Sequence, residues 1–352
     1  GTVLVILVTC AIAPIVTSRA ATRIKLRMLG APDAASGQTA PVTGNILVPV
    51  AKPITAASLA ELALLMRRRK EGPRADRFFA LHVRNDNSRA SKEMGASSLA
   101  LAKGAAAGVD VAMESIERYD LNTVTGILNT VNERDITAIV MGMHRKSSVI
   151  DTFLGSKIEQ LVKGTRQMVV LSRCYIPVNT VTRIVVFVPQ KAEYETGFRQ
   201  WVESLGSLAR EVGCRLIFCA NAQGRSQIAG VITHAKLGIR HEYRPADGID
   251  DFMLLANKVL DDDLLVVIGA RRDSVSYTPE MTDIALFLQR YFDRNNLLLI
   301  YPAQFGENRL NPDDTQTTFA DPLGTGPASA PSILRSIRGR LQRLRPLPRR
   351  HR

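Results

Sequence analysis

Two successive stretches of the chain repeat the same alternation of apolar strand-like runs and amphipathic helix-like segments. The first stretch begins with Ile46–Val50, and a similar run, Arg183–Val188, begins about 137 residues later. Apolar runs that alternate with helical segments predict βα units, and near-continuous apolar runs are typical of parallel strands covered on both faces. We therefore predict an α/β fold with two doubly wound parallel sheets in tandem.

Each half is predicted to contain five strands joined mostly by helices, from the hydrophobic period and the turn residues. The first-half strands are Ile46–Val50, Phe78–Val83, Val109–Ser115, Ile136–Met141 and Met168–Leu171, with helices over 56–69, 91–106 and 122–132 and from Gly155-Ser156. The second-half strands are Arg183–Val188, Arg215–Ala220, Ile239–Arg244, Leu264–Ile268 and Leu297–Tyr301, with helices over 194–210, 227–236, 249–260 and 282–292.

The first seventeen residues, Gly1–Thr17, are strongly apolar and carry no charge. A helix of this length spans about 26 Å, which is near the lower limit for crossing a bilayer. A buried helix of a soluble domain is the alternative, although such a helix normally has one polar face. Four cations follow within residues 19–27, and the positive-inside rule places such a flank, and all that follows it, in the cytoplasm.

The organisation predicted from these features has five segments. They are the end of a truncated transmembrane helix (1–18), a basic juxtamembrane linker (19–44), the first α/β domain (45–175), the second (180–303), and a flexible linker with a basic tail (304–352).

The net charge of +13 is concentrated at the two ends of the chain. Eight arginines and no acids follow Pro322, and four more cations lie between Arg19 and Arg27, which leaves about +1 for the rest. A nucleic-acid-binding domain would carry its positive charge on the folded body. Nucleic acid is therefore an unlikely partner.

The C-terminal end has the pattern of a short basic amphipathic helix. Between Ser332 and Leu344, aliphatic residues recur on one helical face and arginines surround them. Such a helix fits an anionic lipid surface. A disordered arginine-rich end is the alternative, because Gly339 and Pro346 weaken the helix. The residues predicted to contact the membrane surface are Arg19, Arg23, Lys25, Arg27, Arg335, Arg338 and Arg343.

The segment from Asp135 to Arg173 has the features of a phosphate-binding loop. An apolar strand runs into Gly142, where we expect a turn, and a polar loop then leads to a helix that begins at Gly155-Ser156. Backbone N–H groups and the helix dipole favour an anion at such a helix N-terminus.

The spacing of this segment resembles the G-x2-G-x9-G-[S/T] motif of the universal stress protein family, with Arg145 at the second glycine. ILVPV at Ile46–Val50 and LHV at Leu81–Val83 are also similar to landmarks of that family, in the same order. The resemblance covers about residues 45–303 as two copies and implies tandem universal stress protein-like domains. It also implies that the first copy binds ATP or another adenine nucleotide through Val50, Val83, Met141, Gly142, His144, Arg145, Gly155, Ser156 and Lys157.

Two positions depart from the family pattern. Ala51 stands where the first strand of the family usually ends in an aspartate, and Arg145 adds a side chain where glycine lets the backbone approach a phosphate. Its guanidinium could instead bind the phosphate. In the second half, Gly269 is followed by Ala270-Arg271-Arg272 and no Gly-Ser pair begins the next helix, so we expect weaker binding there.

No catalytic or metal-binding motif accompanies these features. The four cysteines, Cys10, Cys174, Cys214 and Cys219, match no zinc pattern and are predicted to be free thiols. We interpret His82 as a structural histidine and residues 261–263, three aspartates, as a charged turn before a strand. The sequence lacks HExxH, GxSxG and Walker lysine motifs, so we expect no enzymatic activity and no metal.

The N-terminal segment LVTCAIAPIVTSRAATRIK resembles the end of the last membrane helix in bacterial monovalent cation/proton antiporters. This resemblance implies a multi-pass inner-membrane protein that exchanges sodium or potassium for protons through a transporter domain outside this chain. The chain would be its cytoplasmic regulatory region, in contact with its own transporter domain and in a homodimer. A membrane-anchored tandem stress protein without a transporter is the alternative, and a nucleotide-hydrolysing enzyme is a third class.

Overall fold

The computed structural model describes residues 44–67, 76–143, 155–255, 258–305 and 308. The predicted transmembrane helix, the basic flank and the basic tail lie outside these residues, and so do their membrane-surface cations. No helix among the described residues is long and apolar enough to span a bilayer.

Ten strands are present in the described residues, and each half contributes five. Those of the first half are β1 (Asn45–Pro49), β2 (Arg77–Arg84), β3 (Met113–Tyr119), β4 (Ala138–Gly142) and β5 (Met168–Arg173). Those of the second half are β6 (Arg183–Phe187), β7 (Arg215–Ala220), β8 (His241–Pro245), β9 (Asp263–Ile268) and β10 (Asn296–Tyr301).

Eight α-helices lie between these strands in the described part of the chain. The first half contains α1 (Pro53–Leu65), α2 (Arg89–Ala107), α3 (Thr123–Glu133) and α4 (Ser156–Gly164). The second half contains α5 (Phe198–Val212), α6 (Ala222–His234), α7 (Ile249–Leu255) and α8 (Ile284–Tyr291), with 3-10 turns at Val178–Thr180, Ala192–Tyr194 and Pro279–Asp283.

All ten strands form one sheet in the order β3-β2-β1-β4-β5-β10-β9-β6-β7-β8. Within each half the neighbours are parallel, and the order of the second half repeats that of the first. The two halves meet where β5 pairs with β10 in antiparallel orientation, with Leu171 opposite Leu299. The expectation of two separate parallel sheets is therefore corrected to one continuous mixed sheet, because the last strands of the two halves pair edge to edge.

The helices cover both faces of this sheet. Residues of α1, α2, α5 and α6 pack with one set of strand side chains, and residues of α3, α4, α7 and α8 pack with the other set. Consecutive residues of one strand, such as Leu47 and Val48, enter different cores because strand side chains alternate between the two faces of the sheet. Burial on both faces explains the continuous apolar runs in the sequence.

Most predicted elements are confirmed within about five residues, and β3 is the strand that was placed least accurately. The predicted strand was Val109–Ser115, whereas β3 covers Met113–Tyr119. Asp110 has a positive φ of 55° in the turn that precedes the strand. Because β3 lies at the sheet edge and only Met113 of the strand is buried, its apolar pattern is weak.

Four side chains interpreted from the sequence have structural roles. His82 is buried, and its Nδ1 lies 2.8 Å from the Val50 carbonyl oxygen, which confirms a hydrogen-bonded histidine. Asp263 is fully buried and accepts both Arg183 Nε (2.8 Å) and Arg183 Nη2 (2.6 Å), so this carboxylate ties β9 to β6. Cys214 and Cys219 are free and enter opposite cores, and burial raises the pKa of each thiol to about 11.

Gly197, just before α5, permits a close backbone contact between two loops of the second half. Its N–H donates to the Ala303 carbonyl oxygen at 2.9 Å, and a Cβ at Gly197 would lie 2.2 Å from the Ala303 nitrogen. We expect Gly197→Ala to lower the free energy of unfolding by about 3 kcal/mol, because backbone atoms must move apart. Urea denaturation followed by circular dichroism measures this change.

Gly230→Ala is the matched control, because nothing lies within 4 Å of a Cβ at that position in α6. We expect it to raise the free energy of unfolding by about 0.5–1 kcal/mol, because alanine loses less backbone entropy than glycine when the helix forms. Equal effects of the two substitutions would contradict the close contact at Gly197.

Candidate functional site

The residues predicted to bind a nucleotide come from the carboxyl ends of β1, β2 and β4 and from the start of α4. Pro49 pairs with Leu81, and Leu47 pairs with Ile139. Continuing these registers places Val50 level with His82 and Gly142, so the fold brings the three strand ends together at one edge of the sheet. Ligands of doubly wound sheets bind at this edge.

The end of β1 presents backbone groups that are already bonded. Val50 is buried, its N–H donates to the Leu81 carbonyl oxygen at 2.8 Å, and its own carbonyl oxygen faces the His82 imidazole. Ala51 and Lys52 are exposed, and α1 begins directly after them at Pro53. This strand end therefore offers a lysine ammonium group and no carboxylate.

Val83 lies near the end of β2 and packs against α3. A Cβ on Gly126 of α3 would lie 2.9 Å from Val83 Cγ1, so the valine fills the space that this glycine leaves. Val83 is half-buried, and it keeps part of its apolar surface at the carboxyl edge. That surface could contact a flat apolar ring.

Gly142 is the last residue of β4, where the sequence predicted a turn. The strand pairing continues beyond it, because the N–H of Met143 donates to the Ser172 carbonyl oxygen at 2.8 Å. Met141 and Gly142 are both half-buried at the strand end. His144 and Arg145 lie outside the described residues, so their predicted contacts stay predictions.

The N-terminus of α4 combines a glycine turn with two exposed residues in the first turn. Gly155 is buried with φ 78° and ψ 148°, a combination open almost only to glycine, and its carbonyl oxygen accepts the N–H groups of Ile158 and Glu159, each at 3.1 Å. Helix geometry leaves the N–H groups of Ser156 and Lys157 without partners inside the helix, and both residues are exposed. Glu159 is the acidic residue in this first turn.

These groups fit one end of a nucleotide. The amides of α4 and the ammonium group of Lys157 suit a phosphate. The sugar end lacks a comparable acceptor at β1, because Ala51 has no polar side chain and the Val50 carbonyl oxygen faces His82. The described residues therefore favour a phosphate-bearing anion more than a nucleoside.

The corresponding edge of the second half is filled by its own side chains. The Tyr301 ring covers Gly269, so a Cβ there would lie 2.9 Å from Tyr301 Cε1. Arg271 follows in the same loop, is 5% exposed, and points into the protein between the two halves. Burial lowers the pKa of its guanidinium to about 10. The sequence indicated that this loop had diverged, but it did not indicate that an arginine closes it.

Comparisons with known proteins agree with the fold. Residues 43–173, which make up the first half of the folded body, match the model of the universal stress protein family. No curated protein matches the chain. Among the solved structures that are similar to this chain, three cover about three quarters of it.

The first two are from Pseudomonas aeruginosa. A functionally unknown protein of strain PAO1 is 12% identical with a TM-score of 0.50, and covers 75% of this chain and 94% of its own. A putative universal stress protein of strain UCBPP-PA14 is 11% identical with a TM-score of 0.51, and covers 75% and 95%. The third is the cytoplasmic domain of a prokaryotic cation chloride cotransporter, 10% identical with a TM-score of 0.51, covering 76% of this chain and 98% of that domain.

We expect Gly155→Ala to disturb the start of α4. A Cβ at φ 78° and ψ 148° costs about 1–3 kcal/mol, so the free energy of unfolding should fall by that amount or the first turn should fray. Amide hydrogen exchange of residues 156–159 and urea denaturation measure both effects.

Gly104→Ala in α2 is the control, because nothing lies within 4 Å of a Cβ there and the residue is helical. It should leave exchange in α4 unchanged. Wild-type exchange and stability in Gly155→Ala would show that α4 does not depend on a glycine at its N-cap.

Proposed function

We propose that this chain is the cytoplasmic regulatory region of a membrane cation transporter, of the class that exchanges sodium or potassium for protons. In this proposal the transporter domain moves the ions. The two universal stress protein-like halves bind a ligand or a partner and favour one conformation of that domain. Such control requires only that the ligand or partner binds two transporter states with different affinity.

One observation carries this proposal. The joined two-half sheet resembles the cytoplasmic domain of a prokaryotic cation chloride cotransporter over 98% of that domain. The likeness is one of fold at 10% identity, and it supports the idea that such a pair of halves works beside a cation transporter. We do not assume that the transporter in this proposal moves the same ions as that cotransporter.

The sequence before the folded body gives further support. The charge-free Gly1–Thr17 and the cations Arg19, Arg23, Lys25 and Arg27 have the order of a membrane helix with a cytoplasmic flank. The alternative is a membrane-anchored tandem module that binds a nucleotide or partner without a transporter, and it uses the same features.

Cation/proton exchange tests the first proposal. Everted membrane vesicles from cells that produce the whole gene product containing this chain should show proton release from the acidic lumen on addition of sodium or potassium. Vesicles without the protein are the control. Exchange with neither ion would overturn the antiporter proposal and would favour the membrane-anchored module.

A nucleotide is the second part of the proposal, and the left-handed Gly155 with the exposed Ser156 and Lys157 favours it. Calorimetry of the 352-residue chain with ATP, ADP, AMP and cyclic dinucleotides should show binding of at least one of them. Purified chain should show no ATP turnover above background, since we propose a binding role. Turnover would instead support the enzymatic class.

Lys157→Gln should weaken the affinity for the bound nucleotide about tenfold, because one charge-assisted bond to phosphate is lost. Lys163→Gln is a matched control, since Lys163 is also exposed and lies in the last turn of the same helix. Equal losses in the two variants would place the phosphate elsewhere. The absence of heat with every nucleotide would remove nucleotide binding from the proposal.

A further inference from the structure

β3 forms one edge of the ten-stranded sheet. It pairs with β2 on one side, and on its other side it has no strand partner among the described residues. Its seven residues, Met113–Tyr119, include no proline or glycine, and none of them has a positive φ. An edge strand of this kind leaves alternate N–H and C=O groups available to another strand.

β8, at the opposite edge of the sheet, is less suited to such pairing. It has five residues, and its last residue, Pro245, has no N–H group to donate. β3 is therefore the longer and less obstructed of the two edges.

The charges on β3 are arranged symmetrically about Ile116. Glu114 lies two residues before it and Arg118 two residues after it, so all three side chains point to the same face of the sheet. An antiparallel second copy of β3, centred on Ile116, would place each Glu114 directly opposite Arg118 of the other copy. Opposite charges in facing positions stabilise a strand pair, and like charges destabilise it. A parallel second copy in register would instead place Glu114 opposite Glu114.

Both charged side chains of this face already have a partner of opposite sign at the end of α3. Arg118 Nη2 lies 2.7 Å from Glu133 Oε1, and Arg134 Nη2 lies 3.0 Å from Glu114 Oε1. Antiparallel pairing would join these ion pairs across the two copies in the order Arg134, Glu114, Arg118 and Glu133, with alternating sign. No charge would have to give up its present partner.

Apolar surface is also exposed at this edge. The Tyr119 side chain is 50% exposed, and the same antiparallel pairing would place it opposite Met113 of the second copy, on the other face of the sheet. Val109 and Leu121, which flank the strand, are 53% and 80% exposed. Exposed apolar residues that cluster in this way are typical of a surface that is covered in an assembly.

We propose that β3 is a homodimer interface, in which two copies of this chain pair antiparallel through β3 about a two-fold axis at Ile116. The two ten-stranded sheets then form one continuous sheet. A two-fold contact of this kind uses the same surface on both copies and closes at two chains. This interface goes beyond the proposed function, and it is the same whether or not the protein serves a transporter.

Cross-linking through introduced cysteines tests the register. In the proposed pair the two Ile116 side chains are directly opposite, with Cβ atoms about 5 Å apart, whereas the two Tyr119 side chains are about 20 Å apart. Ile116→Cys should therefore give a cross-linked dimer of the 352-residue chain with a short bis-maleimide reagent. Tyr119→Cys is the matched control and should not exceed the unmodified chain, which reports the background from the native cysteines. Absence of the dimer in Ile116→Cys would overturn the proposal, and so would equal yields from the two variants.

Charge reversal tests the pairing of Glu114 with Arg118. Glu114→Arg and Arg118→Glu should each weaken dimerisation at least tenfold, because two pairs of like charges then face each other. An equimolar mixture of the two variants should associate again, since a dimer with one copy of each has opposite charges at both positions. Sedimentation velocity of the separate variants and of the mixture measures these changes, and circular dichroism reports that each variant is folded.

Arg244→Glu is the control for charge reversal, because Arg244 lies in β8, the other edge strand. It should leave dimerisation unchanged, and dissociation caused by it would place the interface at β8 instead. A mixture of Glu114→Arg and Arg118→Glu that fails to associate would overturn the proposed pairing. An unmodified chain that stays monomeric up to about 0.1 mM would overturn the interface itself.

Discussion

The antiparallel pairing of β5 with β10 determines the arrangement of the rest of the molecule. Each half alone would present the open edge of its last strand, and such edges carry unpaired N–H and C=O groups. Pairing from Arg173 opposite Leu297 to Val169 opposite Tyr301 satisfies both edges at once. It also makes the two halves run in opposite directions within one sheet. The carboxyl ends of the strands in one half consequently lie beside the amino ends of the strands in the other half.

This geometry explains why the two halves differ in their candidate sites. The loop after β9 lies against the carboxyl end of α4, so an arginine in that loop can reach Val162 and Gln167 of the other half. In the second half, the loop of Gly269 to Arg271 therefore bonds the second half to the first. In the first half, Ser156 and Lys157 remain exposed beside the buried Gly155, at the candidate anion site. The pairing of the halves thus accounts for the structural contact in the second half and leaves the candidate anion site in the first.

The same arrangement gives the proposed regulatory role a physical basis. A regulatory region must convert a local binding event into a change that a neighbouring domain experiences. Here α4 has exposed residues at its first turn and is capped by Arg271 of the other half at its last turn, and Gln304, which follows β10, bonds Arg166 just after the helix. These contacts provide a short and continuous route through packed backbone elements.

Much of this fold could be predicted from residues alone, because strands buried on both faces give continuous apolar runs. The repeat at Ile46 and Arg183 predicted two similar halves, and the Gly155-Ser156 pair predicted the start of α4. The edge strand β3 was misplaced, since a half-exposed strand has little hydrophobic signal. The absence of a carboxylate at Ala51 was also visible in the sequence, and it limits the candidate site to the phosphate end of a nucleotide.

The sequence by itself determined the class of fold, the two halves and the candidate anion site, because those depend on local periodicity and on single glycines. Only the tertiary structure decided that the halves share one sheet, since strand pairing at an edge depends on backbone groups that every residue carries. Only it revealed that Arg271 joins the two halves. The carbonyl groups of Val162 and Gln167 that this side chain binds are more than 100 residues away, and such partners leave no pattern along the chain.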